Sequence, residues 1–118
     1  MVEFTNAQIK YLKSQRLGRL ATLRSDGTLQ NNPVGFAFDE TTRTFEIGGL
    51  NMGGSQKYKN VEANGQVAFV VDDLETVEPW KPRMVEVRGR AESIPNDDPR
   101  RSTIRIHPIR VVSFGIEE

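Results

Sequence analysis

From Met84 to Ser93 the chain alternates without a break: Val85, Val87, Gly89 and Ala91 stand at one parity, Glu86, Arg88, Arg90 and Glu92 at the other. A period of two marks a β-strand with one face buried and one face wet. The segment before it has a different character. Gln66-Val67-Ala68-Phe69-Val70-Val71 is β-branched and apolar almost throughout, which predicts a buried strand. Between them, the acidic and proline-containing stretch from Asp72 to Pro82 reads as a loop.

The remaining segments extend this sheet. Thr5-Asn6-Ala7-Gln8 has the form of a capping box, with Phe4 placed to staple onto Ile9, and predicts a helix from about Asn6 to Arg16 that Gly18 ends. Arg19 to Arg24 reads as a strand, Ser25-Asp26-Gly27-Thr28 as a hairpin turn, and Leu29 to Phe38 as the return strand. On that return strand Val34, Phe36 and Phe38 share one face, while Asn31, Pro33, Gly35 and Ala37 make the other face small and flat. Asp39 to Thr42 forms a turn before a strand at Thr44 to Ile47, and a short helix is expected from Ser55 to about Asn64. Thr103 to Ile116 is a final long strand, bent by Pro108 or lying at an edge there. Six strands, an N-terminal helix and one short inserted helix, with no regular βαβ alternation, predict a mainly β fold. It is a mostly antiparallel sheet that closes into a small barrel, one domain over residues 1–118.

Composition then bounds the chemistry. With 118 residues and 36% hydrophobic content, the chain has little apolar mass for both a core and an enclosed pocket, so a partner chain or large ligand is expected to help. The absence of cysteine and a single histidine, His107, exclude a Cys/His zinc site and a cysteine nucleophile. His107 precedes Pro108 in a predicted strand, a poor setting for a triad base. Sixteen basic and sixteen acidic residues give zero formal net charge, which argues against nucleic acid as a partner. No apolar run approaches the roughly 20 residues of a membrane span, and Met1 to Thr5 lacks the layout of a signal peptide. The expectation is a soluble cytoplasmic protein.

The stretch richest in chemistry runs from Gly48 to Asn60. Four glycines, Gly48, Gly49, Gly53 and Gly54, lead into the inserted helix, with Ser55 as its cap. Helix starts are electropositive, so Lys57 in the first turn is a misfit of some tenths of a kcal/mol, roughly, unless an anion sits there. Two readings stay open: a plain turn followed by a solvated lysine, or a phosphate site. Likewise, Asn31-Asn32-Pro33-Val34 is a strand segment with incomplete pairing, because proline lacks the N–H of a ladder. It is either an ordinary edge or a strip along which a flat heteroaromatic ring lies. Trp80, the sole tryptophan, either stacks on a ligand or partner or plugs the barrel end. Arg88 and Arg90 read as a solvated or intersubunit face, and Asp72, Asp73, Glu75 and Glu78 as a solvated acidic loop with no general acid/base pair.

The order Gly18-Arg19-Leu20-Ala21-Thr22-Leu23, Asp26-Gly27-Thr28, Pro33-Val34, Gly54-Ser55-Gln56-Lys57, Asn60 and Val67-Ala68-Phe69 resembles the pyridoxamine 5′-phosphate oxidase-like split β-barrel family. The nearest branch is similar to the small members that use the deazaflavin coenzyme F420, and the ending Ile104 to Pro108 and Val111 to Ile116 is similar to a subgroup of it. That resemblance implies an FMN-binding type of split barrel and a homodimer with cofactor sites at the subunit interface. It also implies an oxidoreductase that passes a hydride between coenzyme F420 and a small organic substrate. Ser55, Gln56 and Lys57 would hold the cofactor phosphate, Asn51 and Met52 would line the approach to it, and Asn31, Asn32, Pro33 and Val34 would flank the ring, with Trp80 contributed from the other subunit. Flavin-using members carry Ser-Arg-Lys where this chain has Ser55-Gln56-Lys57, so loss of the arginine weighs against the alternative cofactor, FMN. The chain stops at Glu118 before the Trp and Arg region of true pyridoxamine phosphate oxidases, and that activity is not expected. The other class of reading is a non-catalytic cofactor carrier or a haem carrier ligated by His107. No catalytic side chain is assigned.

Overall fold

Thr5 opens the first helix as its spacing predicts: its side chain accepts the Gln8 N–H at 3.1 Å while Gln8 Oε1 accepts the Thr5 N–H at 3.0 Å. This helix, α1, covers Asn6–Ser14 in a computed structural model that describes residues 2–117. Met1 and Glu118, the ends of the expected domain, lie outside the described residues. Gly18 does not end α1. It lies inside strand β1 (Leu17–Leu23), where the ring of Phe69 covers it so closely that an added Cβ would sit 2.6 Å from a ring carbon. The glycine is required by packing between strands, a demand the local sequence does not reveal.

Among the described residues the strands are seven: β1, β2 (Leu29–Gly35), β3 (Ala37–Asp39), β4 (Thr44–Ile47), β5 (Gln66–Thr76), β6 (Lys81–Ile94) and β7 (Thr103–Phe114). They pair antiparallel in the order β2-β1-β5-β6-β7-β4-β3. The predicted six become seven because the return strand divides at Phe36, and its halves end up on opposite edges of the sheet. One residue thus carries the chain across the seam and curls the sheet into an open barrel. Its ring explains why the corner lies there, since it packs 5.5 Å from Phe69 on β5 and 6.0 Å from Phe45 on β4. Phe4, Phe38, Phe45 and Phe69 continue this aromatic cluster, and Val71, Val85, Val87, Ile104 and Ile106 fill the rest of the core. Each fully buried aliphatic side chain of this kind stabilises the fold by about 1.5–3 kcal/mol.

Two further elements depart from expectation. The acidic stretch continues the ladder: β5 runs on through Thr76 and β6 begins at Lys81, so only residues 77–80 form the tip of a projecting hairpin. Asp72 pairs with Arg19, and Asp73 and Glu75 with Arg83, which lets a charged segment remain strand. In β7 an extra residue, Ile109, bulges where Gly89 faces Pro108, and a Cβ on Gly89 would overlap the His107 carbonyl oxygen. The inserted helix α2 (Gln56–Ala63) follows one 3₁₀ turn at Met52–Gly54 and packs on β1 and β6; a second 3₁₀ turn lies at Pro99–Arg101.

Candidate functional site

Helix α2 begins where the glycine-rich approach ends. Ser55 is its N-cap: Oγ accepts the Tyr58 N–H at 3.3 Å and donates to the Met52 carbonyl at 2.7 Å. The N–H groups of Gln56 and Lys57, at the very start, have no acceptor within the helix. No acid occupies this first turn, and Lys57, half-buried, has no ion-pair or hydrogen-bond partner among the described residues. A lysine held at the positive end of a helix dipole without a counter-charge fits an anion such as a phosphate.

Gln56 points the other way, into a polar chain that sequence reasoning missed. Its Nε2 donates to Asn60 Oδ1 at 2.7 Å, while Asn60 Nδ2 donates to Thr22 Oγ1 at 3.1 Å and to Gln30 Oε1 at 3.0 Å. Asn60 and Thr22 are buried. The chain of amides therefore ties the start of α2 to β1 and to β2, one residue before Asn31. An asparagine four residues after Gln56 on the same helix face is the one signal that pointed to it; nothing local announces Thr22 or Gln30 as its partners.

The predicted ring-flanking residues divide between two faces. Register puts Asn31 opposite Ala21 and Pro33 opposite Arg19, on the outer face, where both are exposed. Asn32 and Val34 face inward opposite Leu20 and Gly18, and Val34 is a core residue. Met52 also departs from its expected place: its side chain is 1% exposed, with Sδ 3.3 Å from Ser55 Oγ, so it supports the helix cap and does not line an approach. Both corrections have one cause. Apolar side chains in a chain so poor in them are drawn into the core. Asn51 is exposed and lies over Gly54, whose added Cβ would meet its amide at 2.8 Å.

Beyond Pro33 the outer face carries Arg19, ion-paired to Asp72. One hollow of about 300 Å³ lies between Arg19, Asp72 and Pro33, and a second of about 530 Å³ between Arg19, Asp72, Trp80 and Met84. Trp80, 67% exposed at the hairpin tip, is thus connected to Pro33 of its own chain through one shared ion pair. At the neighbouring position on β5, also lining the second hollow, Asp73 accepts two bonds from Arg83, at 2.9 and 2.6 Å, and one from the Tyr11 hydroxyl at 2.9 Å. The Arg83 bonds hold the Asp73 carboxyl below its usual range, and burial, reinforced by Asp73, pushes the Tyr11 hydroxyl well above the ordinary tyrosine value. Tyr11 stays protonated and donates. His107 is engaged by Glu92 through Nε2, on the exposed face of β6 and β7.

The sequence profile described as pyridoxamine 5′-phosphate oxidase matches residues 4–112. The chain belongs to that family. Within it, the chain is 44% identical over 120 residues to a 5a,11a-dehydrotetracycline/5a,11a-dehydrooxytetracycline reductase of Streptomyces rimosus, covering 97% of this chain and 84% of that protein. An F420 reductase of known structure is 28% identical with a TM-score of 0.63, over 82% of this chain and 89% of that one. An FAD-binding protein of Mycobacterium smegmatis is 25% identical with a TM-score of 0.67, over 88% and 86%. A conserved hypothetical protein of Mycobacterium tuberculosis, 21% identical with a TM-score of 0.75 over 97% and 86%, shares the split-barrel fold. With a named reductase at this identity, the protein is an oxidoreductase of the family, built on a fold that carries flavins or deazaflavins. Among the described residues no helix is long and apolar enough to cross a membrane.

Proposed function

We propose that this protein is a coenzyme F420-dependent reductase acting on an unsaturated fused-ring substrate of the kind named for its Streptomyces rimosus relative. The observation that carries the reading is Lys57, unpaired beside the Ser55-capped start of α2. Lys57 and the first N–H groups of α2 bind the cofactor phosphate, and Ser55 keeps those groups aimed outward. Gln56 is turned back to Asn60 and brings no guanidinium to the phosphate, which favours the deazaflavin over FMN. The chemistry a reduced deazaflavin supplies when bound is transfer of a hydride to the substrate. Asn31 and Pro33 give the ring a flat outer strip to lie on, and this chain's residues orient it and exclude water.

Two copies complete the arrangement. The outer face around Ala21, Ala68, Leu29 and Ile109 forms an apolar hollow of about 430 Å³, with Leu29 and Ile109 well exposed. A second copy packed there buries this surface and closes the cofactor cleft. The FAD-binding neighbour supports a flavin as the second reading.

Titration with coenzyme F420 and with FMN, each followed by the cofactor's own absorbance, tests the assignment. Coenzyme F420 is expected to bind at least tenfold more tightly than FMN, and Lys57→Ala to weaken it at least tenfold, about 1.4 kcal/mol. Unchanged affinity in Lys57→Ala would remove the phosphate site. Sedimentation of wild type and Ala68→Arg tests the pairing, with a dimer expected for the first and a monomer for the second.

A further inference from the structure

We infer that the groove between Pro33 and Trp80, floored by the Arg19–Asp72 ion pair, is the substrate site, and that it reads a planar fused-ring compound through its keto–enol edge. The inference rests on the reductase reading above and names where its substrate docks.

Four observations carry it. The two hollows that share Arg19 and Asp72 lead from Pro33, on the strip offered to the cofactor ring, to Trp80 at the hairpin tip. A substrate in them lies beside that ring. Trp80 is 67% exposed, and exposed apolar Leu74 lines the same hollow with Pro82 and Met84, so the wall offers a flat aromatic face with apolar neighbours beside the paired Asp73 and Arg83. An exposed tryptophan costs apolar surface in water unless something covers it.

The floor has the second property. Arg19 and Asp72 keep 54% and 43% of their side chains exposed, so their pairing contributes little to the fold, about 0–1 kcal/mol, and both remain open to a ligand. A guanidinium beside a carboxylate presents donors and acceptors side by side. A keto–enol edge matches it: its carbonyl or enolate oxygen accepts from Arg19 and its hydroxyl donates to Asp72. A simple hydrocarbon leaves that pair unanswered, and a bare anion meets Asp72 repulsively. Finally, Arg83 also lines the second hollow but is saturated by Asp73, Glu75 and the Tyr11 ring, whereas Arg19 is bonded there to Asp72 and stays the more open guanidinium.

Trp80 is the sole tryptophan, so its emission reports on the groove. Tetracycline, a fused-ring compound with keto–enol edges, is the probe, titrated by Trp80 quenching and by calorimetry, with coenzyme F420 affinity measured separately by absorbance. Saturable quenching is expected in wild type. Trp80→Phe keeps tetracycline affinity within threefold, Trp80→Ala and Arg19→Gln weaken it at least tenfold, and Arg19→Lys recovers part of the loss. Coenzyme F420 affinity stays within twofold in all four, which also shows that they fold. Tetracycline affinity unchanged in Trp80→Ala and Arg19→Gln overturns the inference, as does parallel loss of tetracycline and coenzyme F420, which would place Trp80 at the cofactor. Wild type that binds tetracycline through Trp80 but not coenzyme F420 removes the cofactor assignment and leaves the groove as a binding site.

Discussion

Lys57 and Arg83 are both half-buried cations at the edge of the barrel, and they live under opposite rules. Arg83 is saturated: Asp73 takes two of its donors, Glu75 lies 3.6 Å from a third, and the guanidinium rests 5.0 Å from the centre of the Tyr11 ring. The Asp73 and Glu75 contacts brace the β5–β6 hairpin across its two strands, and the Tyr11 contact ties α1 to it. Lys57 has none, and the helix it begins offers it only repulsion. A cation the fold surrounds with partners is there to hold elements together. One placed against the local field without a partner costs stability, a cost that an anion from outside would offset. The difference separates architecture from site more sharply than exposure does, because the two side chains are similarly covered.

Asn60 is the boundary between these regimes, since it belongs to the fold yet anchors the residue beside Lys57. Asn60→Leu is expected to have the largest effect, a loss of about 2–4 kcal/mol, because it leaves buried Thr22 and partly buried Gln30 without their donor. Urea unfolding measures it, and a loss below 1 kcal/mol would mean that the polar chain does not hold α2 on the sheet. Next comes the saturated corner. Asp73→Ala should cost about 1–3 kcal/mol and lower the melting temperature by several degrees, while coenzyme F420 affinity stays within twofold. A matching drop in affinity would dissolve the contrast between the regions.

The corner also predicts a pH dependence. The Asp73 carboxyl is held below its unfolded value of 3.8, so its contribution is present above that value and is lost as pH falls further, through the folded pKa. Wild type should therefore lose stability more steeply than Asp73→Asn below about pH 4, as read from melts across an acid series. Equal slopes would show that Arg83 does little for Asp73. Smaller again is the stability effect of Lys57→Ala, expected to raise stability by about 0.5 kcal/mol or less in urea unfolding, since it removes a cation set against the helix start; a loss would mean that Lys57 supports the fold. The least effect on the fold, and the finest on the site, belongs to Gln56→Arg. It gives up the bond to Asn60 and offers the phosphate a guanidinium, so FMN affinity should rise severalfold; a fall would mean that the Asn60 tie matters more than the added charge.

How much of this was legible beforehand depends on the range over which each residue acts. The Thr5–Gln8 capping box, the Ser55 cap and the parity of Val85, Val87 and Gly89 are decided within a few residues, and they appear where the sequence places them. Lys57 was legible for the same reason: its conflict with the helix start is local. Gly18 misled because a glycine looks alike whether it ends a helix or admits a ring from a strand far along the chain. Met52 and Val34 misled because a motif gives position but not the direction of a side chain.

By itself, then, the sequence determined the alternation along β6, the caps of both helices, the family and the position of a lysine in the first turn of α2. Only the tertiary structure decided that the return strand breaks at Phe36 and spans both edges of the sheet, since that corner is set by rings from β4 and β5. It alone joined Gln56, Asn60, Thr22 and Gln30 into one chain, and Pro33, Arg19, Asp72 and Trp80 into one groove. Local torsion and hydrophobic periodicity are short-range and can be read along the chain. Hydrogen bonds and hollows between distant strands depend on register, which forms only when the whole sheet closes.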